Sequence, residues 1–252
     1  MRRKGQSGIS HMILVDDFLR VRMREPGRGK ARAVRLDHVS YAVEPTEFSS
    51  TVSRLGSLLG AAFSDGGVHP RYGTRNAVLP LEGGCYVEVV TPLEHPSADG
   101  MPFGRAVRRR AELGGGWLGW VVAVDDIGPF EQRLGRSAGA GHRRRPDGVL
   151  LKWLQIGVLE LIDDPQIPYL IQWDCPGEDH PSAGPTGQVA VEILEIAGRR
   201  AEILSWLGTP EYDPLPHVHV DWLDPVDPAD AYDEAGLVAV DFSTPHGTVR
   251  ID

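Results

Sequence analysis

Cysteine is nearly absent: Cys85 and Cys175 are the two thiols in 252 residues, and no CxxC pair occurs. That excludes a disulfide framework and a thiolate zinc cluster, and two buried thiols are expected, since free cysteine packs as a small hydrophobe. Long apolar runs are also missing. No uncharged stretch reaches the ~18 residues that a membrane-spanning helix needs. The basic start MRRKGQSGISHMILVDDFLR has neither a continuous apolar core nor a small-residue cleavage site. A cytoplasmic protein without a membrane partner is the expectation. There is no GxxxxGK[ST] phosphate loop and no HExxH helix, which weakens readings as a P-loop nucleotide enzyme or a zinc protease.

Positive charge is scarce beyond the first residues. The net charge is −9, but residues 1–35 hold 10 Lys/Arg against 3 Asp/Glu, so the remaining 16 against 32 leave a body of −16. Such a body is a poor ligand for nucleic acid. Residues 1–34 read as a separate basic leader: REPGRGKARAV is Gly/Arg-rich, and HMILVDDFLRVRM offers at most one short helix. Without aromatic or groove-reading elements, a disordered leader is favoured over a nucleic-acid arm.

What is present is periodic. RLDHVSYAV (35–43) alternates as a strand, and PTEFSSTVSRLGSLLGA follows with apolar residues at helical spacing and Gly60 near its end. AAFSDGGVHP, TRNAVLPLEG and CYVEVVTPL then read as three short strands between turns. The same strand, helix and three strands recur as GWLGWVVAVDD, IGPFEQRLGRSA, GHRRRPDG, VLLKWLQIG and PYLIQWDCP. The exits match too, PLEHPSADG after the first unit and PGEDHPSAG after the second. The expected organisation is a first unit over 35–100, a linking helix over 101–115, a second unit over 116–184 and a C-terminal α+β extension over 185–252 that looks like a partial third unit.

These tandem βαβββ units, with LDHVSYAV as first strand, YVEVV as fourth strand and the HPS exits, resemble the vicinal oxygen chelate superfamily and its glyoxalase-like branch. The resemblance implies an α+β fold in which the units close into an open barrel around a cavity. It also implies a divalent metal (Zn, Mn, Ni or Fe) held by residues of the first and fourth strands, a small-molecule ligand and a homodimer. The matching positions are His38 and Glu88 in the first unit; in the second, aligning the repeats sets Trp120 against His38 and Gln172 against Glu88. Period-two geometry independently groups His38 with Ser40, and Tyr86 with Glu88.

Tryptophan cannot ligate a metal, and a glutamine amide is a weak neutral ligand. Two readings therefore stand. In one, His38, Glu88 and Gln172 hold a metal for a lyase, isomerase or dioxygenase, with Glu88 and His38 catalytic. In the other, the scaffold binds small molecules without metal. Trp120, Trp173, Tyr86, Ser40, His69 and Arg71 are the expected substrate-binding residues, and the tryptophans, with Trp117 and Trp153, favour an apolar or planar ligand. Arg143, Arg144 and Arg145 read as a solvated face, His95 and His180 as turn residues, and His217, His219 and Asp221 as an exposed strand face.

Overall fold

The computed structural model describes residues 34–211, 213–223 and 235–252. The basic leader expected over 1–34 lies, but for Val34, outside the described residues, and so does the short helix expected within it.

The first unit runs β1 (Arg35–Ala42), α1 (Phe48–Leu59), β2 (Ser64–His69), β3 (Thr74–Pro80) and β4 (Tyr86–Pro92). Helix α1 buries Phe48, Thr51, Leu55 and Leu59, and it stops at Gly60, whose φ of 67° lets its N–H close onto the Gly56 carbonyl. Two helices, α2 (Pro96–Gly100) and α3 (Pro102–Glu112), lead to the second unit. That unit is β5 (Gly116–Ala123), α4 (Gly128–Leu134), β6 (Gly139–Arg144), β7 (Leu150–Ile156), α5 (Glu160–Asp163) and β8 (Tyr169–Trp173).

The eight strands form one nearly closed, barrel-like sheet in the order β2-β3-β4-β1-β5-β8-β7-β6. In each half the first strand lies parallel to the fourth, and the two first strands pair antiparallel at the centre. Register makes the halves comparable residue by residue. His38 lies beside Tyr86 and Ser40 beside Glu88 in one half; Val121 lies beside Tyr169 and Ala123 beside Ile171 in the other. The edge strands β2 and β6 meet across a seam, where Arg143 donates to the Gly66 carbonyl and Arg71 to the Ala140 carbonyl at 3.3 Å.

A separate four-stranded sheet closes the chain: β9 (Ala190–Ala197), α6 (Arg200–Leu207), β10 (His219–Leu223), β11 (Gly236–Thr244) and β12 (Gly247–Ile251), in the order β10-β9-β11-β12. Its likeness to a third unit stops at the order of elements. Helix α6 joins neighbouring parallel strands, β9 and β10, whereas α1 joins β1 to β2 at the far edge of its half.

The sheets share one core, because β5 is buried on both faces. Its outward Trp117 and Trp120 join Val39, Leu194, Ile203 and Phe242. The Trp117 indole donates to the Ile251 carbonyl at 2.9 Å, and Trp120 donates to the Gln166 carbonyl at 3.1 Å. Its inward Val121 and Ala123 join Val90 and Ile171, packed with Ala106 and Val107 of α3 and Leu161 of α5.

Candidate functional site

Inside the barrel is a cavity of about 50 Å³ lined by His38, His69, Asn76, Glu88, Arg143 and Tyr169, among others. At ~10–15 Å³ per water on that measure, it admits a small molecule and not a large one. Tyr72, Phe103, Trp153 and Trp173 form its aromatic side: Tyr72 stacks on Trp153 at 6.3 Å, and Trp153 meets Trp173 at 5.3 Å. Gly141 makes room for this wall, since a Cβ there would stand 2.2 Å from the Trp153 ring.

His38 is held from several sides. Its Nδ1 lies 2.6 Å from Asp37 Oδ1, its Nε2 lies 3.1 Å from the Tyr169 hydroxyl and 4.0 Å from Glu88 Oε2, and its ring stacks on Tyr86 at 4.5 Å. Adjacent residues of a regular strand point to opposite faces. Asp37 reaches its neighbour because β1 bulges between Leu36 and His38, leaving Asp37 as the extra residue against β5. The buried Asp37 carboxylate also accepts from the Trp173 indole at 2.9 Å and meets His180 Nε2 at 3.3 Å. Burial alone would raise its pKa, but hydrogen bonds from His180 and His38 outweigh that and hold the carboxyl well below the usual range. The ionised Asp37 thus holds Nδ1 of His38, which leaves Nε2 on the side of Tyr169 and Glu88.

Glu88 is also buried and ionised. Ser40 donates to its Oε2 at 2.7 Å and Asn76 to its Oε1 at 2.6 Å. Against the raising effect of burial, nearby His38 and the Ser40 hydroxyl lead the groups that keep its pKa lowered. Asn76 reaches Glu88 only because residue 66 is glycine: a Cβ there would sit 2.0 Å from Asn76 Oδ1. His69, buried on the same wall, is pushed down to about 4, first by burial and then by Arg143. Burial, reinforced by the carboxylates, raises both Tyr86 and Tyr169 well above the usual phenol range, so both are neutral.

Of the residues expected at the site, His38, Glu88, Ser40, His69, Tyr86 and Trp173 do come together. Trp120 and Gln172 do not. Register sets Val121, not Trp120, in the place matching His38, and Ile171, not Gln172, in the place matching Glu88. A one-residue offset turns each side chain to the other face, so Trp120 lies in the outer core, and Gln172 accepts the Ile127 N–H at 2.8 Å. Arg71 is exposed at the seam and lies 5.8 Å from the Tyr72 ring. A metal fits this donor set poorly. The second half supplies Val121 and Ile171, both Glu88 oxygens are engaged, and among the described residues no group of three His, Cys, Asp or Glu could hold an ion.

Sequence reading passed over Asp37, Asn76, Arg143 and Tyr169. Asp37 needed the bulge to be seen, and Arg143, expected in solvent, is 8% exposed. Tyr169 alone had a signal, its repeat relation to Tyr86. His95 and His180 are turn residues as expected: each accepts the N–H two residues on, at 3.2 Å from Ser97 and 3.1 Å from Ser182. Only His180 continues inward to Asp37. His219 is exposed and lies 3.0 Å from Asp213 and 3.2 Å from Asp221, while His217 lies outside the strand. Cys85 is buried, and Cys175 is half-buried.

A hypothetical protein from Staphylococcus aureus shares this fold, with a TM-score of 0.59 at 15% identity over 87% of this chain and 98% of that one. Methylmalonyl-CoA epimerase from Mycobacterium tuberculosis aligns with a TM-score of 0.39 at 15% identity, over 58% of this chain and 92% of that one. A Streptomyces coelicolor methylmalonyl-CoA epimerase in complex with 2-nitronate-propionyl-CoA gives 0.38 at 18%, over 56% and 98%. No curated protein matches by sequence. The family model described as a glyoxalase-like domain matches residues 36–210. The chain therefore belongs to the glyoxalase-like domain family.

Proposed function

We propose that the protein catalyses proton transfer on a small carbon acid, as an isomerase or lyase, with His38 as the base. The supporting observation is the Asp37–His38 pair: a buried carboxylate holds Nδ1 and leaves Nε2 of this cavity-lining histidine to the Tyr169 phenol at 3.1 Å, with Glu88 at 4.0 Å. Nε2 takes a proton from a carbon beside a carbonyl. The C–H electron pair moves into an enolate, and the proton returns to the same or a neighbouring carbon. The neutral Tyr169 hydroxyl then donates to the enolate oxygen, while Asp37 and Glu88 flank the charge gained by the imidazole. Glu88 is the weaker candidate for base, because both its oxygens already accept hydrogen bonds and its pKa is lowered.

A second reading, ligand binding without chemistry, draws on the aromatic wall of Tyr72, Phe103, Trp153 and Trp173. One experiment separates the two. Small aromatic and aliphatic carbonyl compounds, acids and neutral molecules alike, are incubated in D₂O, and α-deuteration is followed by NMR. Catalysed exchange by the wild type that falls at least ~100-fold in His38→Gln supports the base, in line with the usual contribution of general-base groups. Compounds that bind but exchange no faster than in buffer would leave a binding protein.

A further inference from the structure

Arg143 is the charged cavity residue for which proton transfer has no use. It lies on β6, and its guanidinium donates to the Gly66 carbonyl across the seam. Among the described residues no carboxylate pairs with it. A buried cation without a counter-ion is costly to keep. The same cavity holds three more unmet demands, His69 Nε2, the Tyr72 hydroxyl and Asn76 Oδ1, all buried without hydrogen-bond partners. A cation and an imidazole nitrogen converge on space that a ligand's oxygens could fill.

We propose that Arg143 is an anion-recognition residue and that the ligand of this cavity is a monocarboxylic acid with an apolar or planar tail. The inference rests on the proton-transfer reading for what happens to the acid, and on Arg143 alone for how it is held. The guanidinium fork matches a carboxylate, and His69 Nε2 offers a further contact. The cavity's one arginine shares the lining with the ionised Glu88, and the ionised Asp37 lies behind His38, which disfavours a second negative charge such as that of a phosphate dianion. The tail meets Tyr72, Phe103, Trp153 and Trp173.

Phenylpyruvate, phenylacetate and benzoate are titrated calorimetrically beside their amides and inorganic phosphate, into wild type, Arg143→Gln, Arg143→Lys and His38→Gln. At least one acid is expected to bind wild type ~10-fold or more tightly than its amide, as loss of one charge-assisted contact implies. That preference should vanish in Arg143→Gln and return in part in Arg143→Lys, which keeps the charge without the fork. His38→Gln should keep the preference while losing α-proton exchange, so the base and the anion site can fail separately. Acids and amides binding alike, no acid binding at all, or phosphate binding more tightly than the acids each overturns the proposal. A strut joining β6 to β2 and nothing more would lower the melting temperature of Arg143→Gln and leave the acid-to-amide ratio unchanged, which overturns it too. If Arg143→Gln does not fold, the ratio in Arg143→Lys decides: an undiminished ratio rejects the fork.

Discussion

The two halves of the barrel share one backbone plan and carry opposite chemistry. Around the first-to-fourth-strand pairing, one half presents His38, Ser40 and Glu88, where the other presents Val121, Ala123 and Ile171. One strand further out, Asn76 pairs with Val90 where Trp153 pairs with Trp173. Tyr86 and Tyr169 are the inward positions that still agree. The duplicated scaffold has thus kept polar machinery on one side and an aromatic wall on the other, with His38 between the two tyrosines. A carboxylate is tolerable at position 88 because Ser40 and Asn76 satisfy it; beside position 171, Ala123 stands where Ser40 would, and the Gln155 amide oxygen is engaged by the Trp153 indole.

Breaking that asymmetry gives the largest expected effect. Ile171→Glu adds a carboxylate whose neighbours are Ala123 and Gln155 where Glu88 has Ser40 and Val78. Chemical denaturation should show a loss of about 3–5 kcal/mol, the range for an uncompensated buried charge. A variant as stable as wild type would mean that the partners of Glu88 are not what makes it tolerable.

Next comes a pH effect confined to the polar half. His69 stays neutral down to about 4 when folded, against 6.5 for the free side chain, so between those values the unfolded chain binds the extra proton. Stability should therefore be intact above pH 6.5 and decline as pH falls toward 4, by up to roughly 3 kcal/mol from this residue. Melting curves of His69→Leu against pH should lose that part of the acid slope. An unchanged slope would show that His69 is not held neutral by its burial.

The smallest expected effect comes from making one half like the other at a single atom. Ser40→Ala copies Ala123 and strips one hydrogen bond from Glu88, at a cost of about 1–3 kcal/mol. Its Glu88 carboxyl should titrate at a higher pH by NMR, because the Ser40 hydroxyl is among the groups that keep it lowered. An unmoved titration would mean that Asn76 and His38 suffice.

The repeat, the strand order along the chain and the facing of His38 with Glu88 were legible in sequence, because period-two patterning and turn residues are local signals. The second half-site was not. Equating Trp120 with His38 and Gln172 with Glu88 followed the letters of the repeat, while hydrogen-bond register set Val121 and Ile171 there, and a one-residue offset reverses a side chain's face. Asp37 was illegible for a related reason: a bulge carries no residue-type signature in GKARAVRLDH. Arg143 was hidden by Arg144 and Arg145 beside it, since three adjacent arginines look alike until the strand fixes which one turns inward.

The seam between β2 and β6 has a consequence for how the molecule behaves among its copies. An unpaired sheet edge invites another chain to add a strand. Here both edges are short and glycine-bearing, and they face each other through Arg143 to Gly66 and Arg71 to Ala140. The side chain proposed to hold a ligand's carboxylate thus also covers a backbone carbonyl at the barrel's opening that could otherwise accept from a neighbouring strand.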